Sequence, residues 1–167
     1  MPLTPLRIPN KEIQIVFRKE VWDFFRDKVD NMFVRDFADA LWAGEKEKAE
    51  NALNQILEAT LSFYHEYREY SYHLILDGFF TGLGYRVQSE RETGYGRSDL
   101  IIQDPARSRC ILLELKHVTR EAEMEAALME ASDQIIKKKY ESQLIYEGYT
   151  ALLRYGMTFF KKRCMIQ

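Results

Sequence analysis

The sequence predicts an α/β fold, a mixed central sheet flanked by helices, with a helical segment in front of it. Three observations lead there. Apolar residues in the first half recur at helical spacing. Two aliphatic runs, at 100–102 and 110–113, bracket Asp104-Pro105-Ala106-Arg107-Ser108-Arg109, a polar stretch that reads as a hairpin turn. From residue 64 onward the order is helix, three strands, helix, strand, which closes a sheet between helical layers. With 167 residues, 46% of them hydrophobic, the chain can bury one sizeable core and little beyond one domain with an appendage.

Taken in order, Asn10 is placed to cap a first helix whose apolar side is Ile13, Val16, Phe17, Val21 and Phe24 or Phe25. A second helix is predicted over 32–43 with Gly44 as its stop. A third runs over 45–60 with Ala49, Leu53, Ile56 and Leu57 as its stripe. Residues 1–62 therefore form a helical appendage or a linker from a larger protein, and 63–167 the sheet-containing domain. A fourth helix over 64–83, ended by Gly84, carries Glu69, Tyr72, His73, Leu76, Phe80 and Leu83 on one stripe. Strands follow at 85–90, 97–103 and 110–116. Thr119 is placed to cap a long helix through Glu121, Met124, Ala127, Leu128, Ala131 and Ile135 that ends beyond Tyr140. After Gly148, a strand over 151–159 turns at Lys161-Lys162 into an edge strand over 164–167.

Composition narrows the classes. Cys110 and Cys164 do not make a disulfide framework, which leaves a reducing, cytoplasmic setting as the expectation. Residues 1–10 lack a signal-peptide pattern, and no run approaches the roughly 20 apolar residues of a spanning helix. Phosphate-cradling Gly-x-x-x-x-Gly-Lys-Ser/Thr is absent, so these residues are not a P-loop ATPase. The net charge of −2 does not advertise a polyanion binder, but its distribution is uneven: 10 basic against 14 acidic residues up to Gly84, then 14 against 12. Lys137-Lys138-Lys139 and Lys161-Lys162-Arg163 are either phosphate-tracking clusters or a solvated helix end and turn.

The chemistry concentrates on two strands. If the hairpin is centred between Ala106 and Arg107, opposed residues have numbers summing to 213. Asp99 then faces Glu114, with Cβ atoms about 4.5–5.5 Å apart. Lys116 shares that face because strand side chains alternate. Two opposed carboxylates repel unless a cation lies between them. Their hard oxygens suit Mg²⁺ or Mn²⁺, which take few protein ligands and keep positions open for water and phosphate. A lysine beside such a centre can orient or deprotonate a water, or stabilise charge that builds on a phosphodiester. Gln134 lies beside the buried stripe of its helix with Lys137 and Lys138 at i+3 and i+4. Its amide is placed to hold a phosphate or a water. His73 is a core histidine or a ligand, and oxygen-preferring metals do not need it.

Asp99, Glu114-Leu115-Lys116, Gln134 and the flanking stretches from Glu69 to Tyr140 resemble the PD-(D/E)XK nuclease superfamily. The resemblance is to the branch found C-terminal to AAA-type ATPase-like domains in bacterial proteins. It covers the C-terminal 100 or so residues, with Ser98 in place of the proline that usually precedes the acid. It implies a restriction-endonuclease-like core and a metal-dependent hydrolase of nucleic acid, with DNA as the expected substrate. It also implies Asp99 and Glu114 as metal ligands, Glu69 as a third acid with Glu66 one turn earlier as second choice, and Arg97 as a phosphate contact. An ATPase-like domain in the full-length protein is the implied partner. Two other readings stay open. One is a catalytically silent module of the same fold that binds a partner or regulates an attached ATPase; the other is a helical dimerisation element anchored by Phe17, Trp22 and Trp42.

Overall fold

The computed structural model describes residues 19, 23, 27, 31–60, 69–89, 100–137 and 141–167. The expected first helix and its apolar stripe lie outside these residues, apart from three helical positions within it. The elements are α1 (Asn31–Ala43), α2 (Lys46–Thr60), α3 (Glu69–Gly82), β1 (Arg86–Ser89), β2 (Leu100–Asp104), β3 (Arg109–His117), α4 (Met124–Lys137), α5 (Glu141–Tyr146), β4 (Ala151–Phe160) and β5 (Arg163–Ile166).

The strands form one mixed sheet in the order β1-β2-β3-β4-β5, with β3 and β4 parallel and the other pairs antiparallel. The crossover from β3 to β4 runs through α4 and α5, as a parallel pair requires. All of β2 and residues 110–115 of β3 are buried, so helices cover both faces of the sheet centre, as the unbroken aliphatic runs imply. Alternation sorts the side chains. Leu100, Ile102, Ile111, Leu113 and Leu115 join the larger core under α1, α2 and α3, whereas Ile101, Cys110 and Leu112 meet Ile135, Leu144 and Tyr149 on the side of α4 and α5.

The N-terminal helices share that larger core. Phe37 of α1 meets Phe80 of α3 with ring centroids 5.9 Å apart, and Tyr155 of β4 donates its hydroxyl to the Leu41 carbonyl. From α2, Asn54 donates to the Cys164 carbonyl at 3.2 Å and accepts from the Cys164 N–H at 2.7 Å; Glu50 accepts from the Ile166 N–H at 2.9 Å. These side chains pair with the free edge of β5, which would otherwise be open to another strand. Trp42 packs on Tyr85 and lies under the Arg109 guanidinium, 4.1 Å from its carbon, so its ring serves this fold's own packing; Phe17 and Trp22 lie outside the described residues.

Two local expectations are corrected. The 104–109 stretch is a tighter turn than expected. β2 runs to Asp104, a 3-10 turn spans Pro105–Arg107, Ser108 takes a left-handed φ of 49°, and β3 begins at Arg109. Thr119 does not cap the long helix. The Val118 N–H still bonds to the Phe159 carbonyl beside β4, and a 3-10 turn (Glu121–Glu123) intervenes before α4 begins at Met124.

Candidate active site

The pairing of β2 with β3 couples Leu100 with Leu113, Ile101 with Leu112, Ile102 with Ile111, Gln103 with Cys110 and Asp104 with Arg109. Every pair sums to 213, the register expected from the turn centre. Asp99 is one residue beyond the first of these pairs and outside the described residues.

On β3, Cys110 and Leu112 belong to the cluster under α4 and α5, and Lys116 reaches Glu130 of α4 with Nζ 3.5 Å from Oε1. Glu114 lies between them at the same parity, so it faces α4 as well. It is 3% exposed, a carboxylate kept out of water and therefore in need of compensating charge or hydrogen bonds. Its neighbour across the ladder is Gly156, and that of Lys116 is Thr158. A Cβ at Gly156 would stand 2.7 Å from Ser132 Oγ and 2.8 Å from Ser132 N. The glycine is thus what allows α4 to settle onto β4 beside Glu114.

That close seating brings Gln134 to the site. Its Nε2 donates to Glu130 Oε1 at 3.1 Å, the same oxygen that lies nearest the Lys116 ammonium. Lys116 and Gln134, both expected from the sequence, therefore meet through Glu130, a residue that was not expected. Its spacing of four from Gln134 on one helix face was the available signal. Thr158 was missed too; it is fully buried, and its Oγ1 has no hydrogen-bond partner among the described residues.

Tyr72 and the Lys161 backbone lie by the end of β3 that carries His117. Tyr72 stacks on Phe159 with centroids 4.4 Å apart, lies 5.7 Å from the His117 ring, and donates its hydroxyl to the Lys161 carbonyl at 2.6 Å. Glu69 heads α3 one turn before Tyr72, with its side chain outside the description. Lys161 extends over the Phe160 ring, Lys162 approaches Glu58 at 3.6 Å, and Arg163 pairs with Glu121. Lys137 closes α4 without a described side chain, and Arg97 and Lys138 lie outside the described residues. His73 is buried with Nε2 3.5 Å from Ser89 Oγ, the placing of a core histidine. Neither cysteine is poised as a nucleophile. Burial, helped by the Glu147 charge, pushes the Cys110 thiol up to about 12, and burial raises Cys164 further.

Among the described residues no three His, Cys, Asp or Glu side chains group as a metal site. Of the three expected ligands only the Glu114 side chain is described. Its hard oxygen donors fit a divalent ion such as Mg²⁺ or Mn²⁺.

A profile of the PD-(D/E)XK nuclease superfamily matches residues 67–167, more than half of the chain. The chain belongs to the PD-(D/E)XK nuclease superfamily. Comparison with curated proteins and with solved structures gives no match. The mixed five-stranded sheet between helices agrees with the restriction-endonuclease-like fold of this superfamily. Its members are usually nucleases, act on nucleic acid and typically use divalent metals. No helix among the described residues is long and apolar enough to cross a membrane.

Proposed function

We propose that this protein is a metal-dependent nuclease that hydrolyses phosphodiester bonds, with DNA as its substrate. The observation that carries the reading is the 213 register. Continued by one residue, it would set Asp99 opposite the buried Glu114, two positions from a lysine turned toward α4. Asp99 and Glu114 would hold Mg²⁺ or Mn²⁺, with Glu69 as a third acid. The ion, when bound, would lower the pKa of a water and neutralise charge on the phosphate.

The other roles fall to the chain's own groups. Lys116 presents an ammonium on the Glu114 face, where it orients the attacking water and stabilises the charge that develops on phosphate oxygens. Gln134 supports it with an amide that hydrogen-bonds a phosphate or a water. Lys161 and Lys162 at the β4–β5 turn, Lys137 and Lys138 at the end of α4, and Arg97 track the backbone of the nucleic acid. The 63–167 portion is the nuclease-like domain, and the helices before it connect to an ATPase-like domain of a larger protein. The cytoplasm is the compartment that suits these assignments.

Cleavage of single- and double-stranded DNA with Mg²⁺ or Mn²⁺, by wild type and Lys116→Ala, tests this reading. Metal-dependent cleavage that falls about 100-fold or more in the variant is expected. Equal cleavage by the two proteins would remove the catalytic assignment, and no cleavage by either would favour the catalytically silent module.

A further inference from the structure

We propose that Glu130 is a positioning residue of this site, holding the Lys116 ammonium and the Gln134 amide at a single carboxylate oxygen. The proposal rests on the nuclease reading and adds to it a residue outside the Asp99, Glu114 and Lys116 set.

Three observations carry it. Glu130 Oε1 lies 3.1 Å from Gln134 Nε2 and 3.5 Å from Lys116 Nζ, so one atom links strand β3 to helix α4. The helix that bears Glu130 is seated closely on the sheet, with Ala131 and Ser132 against Gly156, the ladder neighbour of Glu114. The Glu130 side chain is also 62% exposed, and ion pairs so open to water contribute little to folding. Its consequence lies in orientation. A Lys116 side chain without this partner samples more rotamers on its flexible four-carbon stem. A Gln134 amide turned to Glu130 through its NH₂ leaves Oε1 and the second N–H for a water or a phosphate. Loss of the bridge therefore acts on the placement of both groups. Misplacement of catalytic groups slows a reaction without a matching loss of substrate binding.

The test uses the full chain with the variants Glu130→Ala, Glu130→Gln and Lys116→Ala. Steady-state cleavage of DNA is measured in Mg²⁺, and the Gln134 side-chain NH₂ resonance is followed in ¹⁵N-glutamine-labelled protein. Glu130→Ala is expected to lower kcat about tenfold with KM changed less than about twofold. Glu130→Gln keeps an oxygen acceptor in place and is expected to recover most of the rate. Lys116→Ala is expected to shift the Gln134 resonance in the wild-type background and to leave it unmoved in the Glu130→Ala background. A Glu130→Ala protein with wild-type kcat, or a Gln134 resonance indifferent to Lys116→Ala in both backgrounds, overturns the role of Glu130. A Lys116→Ala protein that cleaves as fast as wild type overturns the nuclease reading beneath it, and the resonance coupling tells that failure from the first.

Discussion

Asp104 closes the β2–β3 hairpin with one carboxylate oxygen shared by two arginines, Arg109 Nε at 2.8 Å and Arg107 at 3.1 Å. Burial pushes its pKa up, but hydrogen bonds from Arg109 and Arg107 outweigh this and hold the carboxyl below its ordinary value. A carboxyl whose pKa is depressed on folding stabilises the fold above its unfolded pKa, and that stability is lost as pH falls through the folded value. Asp104→Asn should therefore cost about 1 kcal/mol at neutral pH, a modest figure because Arg107 is largely in water. In urea unfolding the gap between wild type and variant should be constant from pH 7 to 5, then narrow below about pH 4. A gap that persists unchanged to about pH 2 would show that the charge is not its source. The residue types of this turn were readable, but not its ion pairs. Those depend on Asp104 and Arg109 being strand partners in the 213 register, and on Trp42 from α1 lying under Arg109.

At the scale of elements, α4 is the piece that makes the site, and its seating on β4 is the point where it can be disturbed. Gly156→Ala would drive a methyl into the Ser132 backbone and hydroxyl, which must then move. Overpacking of this kind costs about 1–3 kcal/mol, and here it would lift Glu130 and Gln134 away from Lys116. Thermal unfolding should shift down by several degrees, and cleavage should fall further than the stability loss accounts for. A variant with the Tm and cleavage rate of wild type would mean that α4 does not depend on that glycine. The apolar stripe of α4 was legible, since Met124, Leu128, Ala131 and Ile135 are all buried. Its start was not legible, because the hydrogen bond that keeps Val118 beside β4 is a tertiary contact that overrides the capping preference of Thr119. A glycine inside a strand signals close backbone approach, so Gly156 carried a local hint of the helix above it.

For the whole molecule, the sequence carried the class of fold and the hairpin register, because alternation, aliphatic runs and turn chemistry are local signals. What the helices of the first half cover was not legible. Helical stripes at Leu53, Ile56 and Leu57 announce a buried face without naming its partner. That partner is a core shared with α3 and the sheet, and Asn54 and Glu50 seal β5 from more than 100 residues away. Of the candidate site, the shared face of Glu114 and Lys116 was legible from strand alternation, whereas Glu130 joins Lys116 only once α4 is docked. The central claim is that two acids and a lysine from neighbouring strands share one pocket. Crystals of the full chain soaked in Mn²⁺ test it directly through anomalous scattering. The expected result is a peak with carboxylate oxygens of both Asp99 and Glu114 about 2.0–2.2 Å away, on the side of the sheet that carries Lys116. Side chains of Asp99 and Glu114 turned to opposite faces of the sheet would contradict it.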